Sequence, residues 1–209
     1  MRTFDIVVTN SATHPEPILY PRLRQFFRLF NRYFMVPAFR LGLGPLMGSP
    51  FGGYIMIVKT IGHKTGKPRY TPVNYAIMDG NVYCLAGWRQ TAHWFRNLRA
   101  NPKLELIMPG GAVQGIASVV TDPDEWLRAT RQVLRNAGLA GFFLGANPFT
   151  PSDEVLRDKA GGTPVICIHP MGIGNGAVDP GGWLWILVTG ISIWLVLKSR
   201  KYCFGEVEK

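Results

Sequence analysis

Cysteine is scarce: the 209 residues hold three, Cys84, Cys167 and Cys203. An odd, widely spaced set excludes a disulfide framework and points to a reducing compartment. The four histidines, His14, His63, His93 and His169, are scattered. None pairs with a cysteine at ligand spacing, so no metal site is expected. Acidic residues are also few, 13 against 23 Lys and Arg, for a formal net charge of +10. That surplus favours anionic partners: phosphates, nucleic acid or an anionic membrane face. No recognised nucleic-acid module is present, which sets nucleic acid aside. Residues 1–10 lack the apolar core and cleavage site of a secretory signal.

What is present is a chain apolar enough to bury a core, 47% hydrophobic and 17% charged, of a length that suits one globular domain with extensions. Residues 11–17 carry two prolines and form an irregular lead-in. Residues 20–40 read as a helix, with Leu23, Phe26, Phe27, Phe30, Phe34 and Met35 at three-to-four spacing. Arg22, Arg24, Arg28, Arg32 and Arg40 are interleaved. Pro37 is expected to kink or end this helix, and Gly42-Leu43-Gly44-Pro45 breaks it. A basic amphipathic helix either packs its aromatic face on the domain or lies on a membrane surface.

Strand-type runs follow at 53–59, 69–78, 82–86, 103–108, 113–120 and 164–169, with a hairpin signal at Asp79-Gly80. Residues 91–100 form a short helix stopped by Asn101-Pro102. A helix from 124 to 136 is capped by Asp122, with Pro123 in first position and Glu125 three after the cap. Residues 138–149 are apolar and glycine-rich, a lid or substrate-facing loop, and 152–159 form a short capped helix. Six short antiparallel-looking strands with inserted helices predict a mainly β (α+β) barrel rather than a parallel doubly wound sheet.

The expected division is 1–50 lead-in and basic helix, 51–170 barrel domain, 171–182 glycine-rich linker, 183–197 membrane-embedded helix and 198–209 basic tail. Residues 183–197 carry no charge, with Trp183 and Trp185 at one end and Lys198, Arg200 and Lys201 beyond the other. Such flanks suit a membrane interface, although the run is shorter than the ~20 residues of a full span. The segment either crosses or dips into one leaflet.

The densest chemistry is Gly62-His63-Lys64-Thr65-Gly66-Lys67-Pro68-Arg69. Two glycines permit tight turns, three cations share one loop, and Thr65 adds a hydroxyl. Such a loop can hold an anion with backbone N–H groups and side chains together, or it can be a solvated hairpin connection. The glycine spacing is not that of a P-loop. One hairpin later comes His93-Trp94-Phe95-Arg96-Asn97-Leu98-Arg99-Ala100-Asn101-Pro102, in which Trp94, Asn97 and Leu98 lie on adjoining helix faces.

The order IGHKTGKPRYTPVNYAIMDGNVYCLAG, then HWFRNLRANPKLEL, resembles the deazaflavin (F420)-dependent nitroreductase and quinone reductase family over about residues 54–120 and the strand at 164–169. The resemblance implies a split β-barrel of the flavin reductase and pyridoxamine-phosphate oxidase type. It implies binding of coenzyme F420, whose tail carries a phosphate and glutamates, and hydride transfer to a quinone or nitro compound. Carried over, Lys64, Thr65, Gly66 and Arg69 would meet the anionic tail. Pro72, Val73 and Asn74 would lie beside the ring system, and Trp94, Asn97 and Arg99 would close the other side. His63 stands where the family usually has Arg, and the loop 87–92, with Trp88 and Arg89, is shorter than in nitro-drug-activating members. The shortened loop motivates an alternative cofactor, FMN or haem. A non-catalytic, membrane-tethered cofactor- or lipid-binding protein is a further alternative. No catalytic acid–base dyad is visible; Tyr54, Tyr70, Tyr75 and Tyr83 are candidate proton donors. The expected location is the cell membrane, C-terminally anchored, with a cytoplasmic catalytic domain and membrane lipid as a partner.

Overall fold

The computed structural model describes residues 19–44, 53–87, 89–138, 142, 152–175 and 182–204. The lead-in at 11–17, Trp88 and all but Gly138 and Phe142 of the glycine-rich segment 138–149 lie outside them. Six strands, Ile55–Ile61 (β1), Pro68–Met78 (β2), Asn81–Leu85 (β3), Lys103–Met108 (β4), Gly111–Val119 (β5) and Val165–Ile173 (β6), close into one barrel in the order β1-β2-β3-β6-β5-β4. Every pairing is antiparallel. The β2–β3 hairpin turns on two residues: Met78 pairs with Asn81, and Asp79 and Gly80 take φ of 51° and 75°. That is the primed turn that follows the right-handed strand twist.

Alternation along the strands separates two faces. Met56, Val58, Val82, Cys84, Leu106, Ile166 and Ile168 point inward and form one buried cluster. His93–Ala100 (α3) closes it with Trp94, Phe95 and Leu98. The outer face is covered in two places. Pro123–Asn136 (α4) lays Ala129 and Val133 over Ala76, Tyr83, Val165 and Cys167. On the other flank, Met35 and Phe39 cover Ile57 and Ile107. Asp153–Ala160 (α5) docks Leu156 against Leu127 and Leu134 of α4.

The N-terminal helix does not stop at Pro37. Leu19–Phe30 (α1) continues through a π-helical turn, Asn31–Met35, into Val36–Arg40 (α2). A proline lacks the N–H that would bond four residues back and crowds that carbonyl. The wide turn, with Val36 N–H donating to Asn31 O, lies immediately before Pro37, which then opens the next helical segment.

β6 also runs past the expected end at 169. Its last residues pair with β5 as far as Val113↔Ile173, across a register shift at Gln114/Gly115 opposite Pro170. Gly182–Phe204 (α6) is helical, longer than the 183–197 expected. Among the described residues, however, no helix is long and apolar enough to cross a membrane. The charge-free run of 15 residues, 183–197, rises ~22 Å, against ~30 Å of hydrocarbon.

Candidate functional site

The β1–β2 connection is a closed, braced loop. Gly62 N–H donates to Lys67 O (2.9 Å), and Gly62 O accepts from Thr65 N–H (3.1 Å) and Gly66 N–H (2.8 Å). A Cβ on Gly62 would lie 2.9 Å from Thr65 Oγ1 and 3.2 Å from Lys67 O, so any larger residue there crowds the turn. Gly66 has φ +64°, with open space around its missing Cβ. Thr65 Oγ1 accepts from Lys67 N–H and from Arg69 Nη2, each at 3.4 Å.

The brace comes from α3. Asn97 is buried, and its Nδ2 donates to Thr60 Oγ1 on β1 at 3.0 Å. That leaves Oδ1 to accept from His63 N–H (3.1 Å) and from His63 Nδ1 (2.8 Å). An acceptor facing Nδ1 sets the proton there and leaves Nε2 to face away from Asn97. His63 therefore ties the loop to the helix.

The loop's N–H groups at Gly62, His63, Thr65, Gly66 and Lys67 are all engaged within the fold. That leaves the Lys64 N–H, together with the side chains, as the donors the loop can offer a ligand. Lys64, Lys67 and Arg69 are exposed, and among the described residues no carboxylate lies within ion-pair distance of them. Three cations on a rigid loop without acidic partners match an anionic ligand.

The remaining expected residues divide. On β2, Tyr70 belongs to the patch under Met35 and Phe39, and Ala76 and Met78 to the patch under α4. Pro72 and Asn74 lie on the same outer face between those patches, both partly exposed. Asn74 Nδ2 donates to Tyr54 O at 3.2 Å. Val73 points inward and packs against the barrel core, so only its backbone belongs to the outer face. Trp94 is buried in the barrel interior, and the amide of Asn97 is consumed by Thr60 and His63. Both side chains are thus turned into the fold. Arg99 is partly exposed at the end of α3.

Within loop 87–92, Arg89 holds a left-handed φ of 49°, and its Nη2 donates to Gly161 O at 3.2 Å. It staples this loop to the end of α5. Tyr83 is excluded as a proton donor at the site: its hydroxyl donates to Glu125 on α4 at 2.8 Å, and burial followed by this bond pushes its pKa up. Tyr75, facing the core, is also raised, mainly by burial. Tyr54 is exposed, and Tyr70 lies under the Arg40 guanidinium, 5.8 Å from the ring centroid. Sequence reasoning missed Thr60, whose role arises from contact with Asn97, 37 residues away. Among the described residues no three His, Cys, Asp or Glu side chains gather to hold a metal ion.

The structure thus sets a braced cationic hairpin loop beside a partly exposed outer face of a closed antiparallel barrel. Residues 37–139 match the family model described as F420H(2)-dependent quinone reductase, a family of oxidoreductases. The match takes in the loop, the β2–β3 hairpin, α3 and α4. No curated protein matches the chain.

Three solved structures illustrate its likenesses. One is described as an F420 reductase, 18% identical, covering 62% of this chain and 93% of that one, with a TM-score of 0.39. The heme storage protein HutZ from Vibrio cholerae is 15% identical over 68% of this chain and 94% of its own, with a TM-score of 0.40. A FAD-binding protein from Mesorhizobium loti is 16% identical over 57% and 83%, with a TM-score of 0.36. These likenesses are remote, and the barrel is defined by the chain's own strand pairing.

Proposed function

We propose that this chain passes a hydride from reduced coenzyme F420 to a quinone-like or nitroaromatic acceptor, in a split barrel of the flavin reductase and pyridoxamine-phosphate oxidase type. The observation that carries the proposal is the loop 62–69: Lys64, Lys67 and Arg69 face outward from a turn held rigid by Gly62, Gly66 and Asn97. An anionic tail of one phosphate and several glutamates suits three separated cations better than the single phosphate of FMN does. The bound coenzyme supplies the hydride.

The chain's own residues bind and orient. Lys64, Thr65 and Arg69 fix the tail, with Lys67 adding charge. Pro72 and Asn74 offer a floor for the ring between the two helix-covered patches. Trp94 and Asn97 keep α3 and the loop in register. Tyr54 and Tyr70 remain as hydroxyls able to supply a proton to the reduced acceptor.

A membrane location is part of the same reading. Supporting it are the side chains of Leu187, Val188, Ile191, Ile193, Trp194, Leu195, Val196 and Leu197, all exposed around α6. Exposure of that much apolar surface on one helix is costly in water. A helix that enters one leaflet without crossing keeps Lys198 and the barrel on the same, cytoplasmic side. There the domain would sit where a lipid-soluble quinone dissolves. The test is anaerobic oxidation of reduced F420 by the full chain with a membrane quinone, a water-soluble quinone and a nitroaromatic. Quinone-dependent oxidation is expected. Binding of the coenzyme with no acceptor turnover would leave a sequestering protein instead.

A further inference from the structure

The N-terminal helix carries two apolar faces, and the barrel uses only one. Met35, Ala38 and Phe39 are buried. Upstream, Phe26, Leu29, Phe30, Tyr33 and Phe34 are exposed, Tyr33 by 68% and Phe26 by 59%. These five follow three-to-four spacing and make one stripe. Phe26 stacks on Phe30 (centroids 6.0 Å apart, 12° between planes), and Phe30 on Phe34 (5.1 Å, 30°). Among the described residues from 25 to 34 none is buried, so this half of the helix stands clear of the barrel as an aromatic arm.

Charge selects among the surfaces that could cover such a stripe. No acidic residue occurs between Glu16 and Asp79, while Arg22, Arg24, Arg28, Arg32 and Arg40 are all in or beside this helix. Arg28, Arg32 and Arg40 are exposed, and Arg32 lies 5.4 Å from the Tyr33 ring centroid. A second copy would bring five like charges against five. An anionic bilayer surface accepts aromatic rings at the headgroup level and arginines among the lipid phosphates. We infer that the stripe Phe26–Leu29–Phe30–Tyr33–Phe34 is an interfacial docking surface for anionic lipid, separate from α6. Because Met35 and Phe39 lock the same helix onto β1 and β4, and Arg40 covers Tyr70 at the start of β2, docking would fix the orientation of the barrel. The inference does not depend on the reductase reading, since it concerns lipid alone.

The experiment uses the full chain with Cys203→Ser and Tyr33→Cys, labelled at position 33 with an environment-sensitive fluorophore. Vesicles are phosphatidylcholine with or without phosphatidylglycerol, and a lipid-borne quencher reports depth. A blue shift and quenching with phosphatidylglycerol vesicles, weakened by added salt, are expected. In unlabelled protein, Phe26→Ser/Phe30→Ser/Phe34→Ser should lower partitioning to those vesicles about tenfold or more. The substituted side chains are exposed, so circular dichroism should stay unchanged. Flotation of the protein without shift or quenching at position 33 would assign lipid binding to α6 alone and overturn the inference. A lipid-free dimer that the triple substitution makes monomeric, again without quenching, would overturn it in favour of a second copy.

Discussion

Asn97 Oδ1 lies 2.8 Å from His63 Nδ1 and 3.1 Å from the His63 backbone nitrogen, while Asn97 Nδ2 reaches Thr60 Oγ1. One buried amide thus joins a strand, a helix and the cationic loop. Replacing it by an apolar residue leaves the Thr60 hydroxyl and the His63 N–H groups without their partner. Asn97→Leu should cost about 2–3 kcal/mol of stability and weaken F420 binding by loosening the loop. Asn97→Asp keeps an acceptor for His63 and should recover part of the affinity. Thermal unfolding and coenzyme titration of both variants would check this. Unchanged affinity in Asn97→Leu would show that the loop needs no brace.

The glycines of that loop predict different outcomes. Gly66→Ala meets no atom, so its cost is the left-handed φ alone, about 1 kcal/mol. Gly62→Ala forces Thr65 Oγ1 and Lys67 O away from a Cβ only 2.9 and 3.2 Å distant. It should therefore reduce coenzyme affinity more than Gly66→Ala does, as titration of the two variants would show.

Lys64 and Arg69 are solvent-exposed, so each contributes through a screened interaction. Lys64→Ala and Arg69→Ala are each expected to weaken F420 about three- to tenfold at low salt. The difference from the unmodified protein should shrink as ionic strength rises. A salt-independent loss would point to a structural effect. Arg69 is the more exposed to that objection, because Nη2 also donates to Thr65.

High pH should destabilise the barrel. Burial, reinforced by the hydrogen bond to Glu125, pushes the Tyr83 hydroxyl above its ordinary value of 10.0, and burial pushes Cys84 above 9.0. Cys167 is also raised, chiefly by burial, with the Tyr83 hydrogen bond acting the other way. The folded state holds these protons more tightly than the unfolded one. Above the ordinary values the unfolded chain binds fewer protons, so unfolding free energy falls with rising pH. The stabilisation is complete below about pH 9 and fades upward from there. Urea midpoints across that range would show the slope, and Tyr83→Phe or Cys84→Ala should flatten it.

Local signals in the sequence were the reliable ones. Asp122 caps α4, accepting from Glu125 N–H at 2.7 Å with Pro123 first in the helix, because both devices act within four residues. The Asp79-Gly80 turn, the alternation that makes a barrel and the cationic loop were legible for the same reason. Asn97 and Trp94 were legible as important but not in their roles. A brace to His63 spans 34 residues, and closure of a barrel by α3 has no periodic signature. The glycine-rich stretch from 171 onward suggested that β6 ends at 169. The strand continues because its partner β5 shifts register at Gln114/Gly115 opposite Pro170.

The central claim is that loop 62–69 holds the anionic tail of a deazaflavin. Titration of the full chain with F420 and, separately, with FMN tests it most directly. The account predicts preferential F420 binding that Lys64→Ala and Arg69→Ala each weaken. Tight FMN binding with no affinity for F420 would contradict it, as would F420 binding that neither substitution alters.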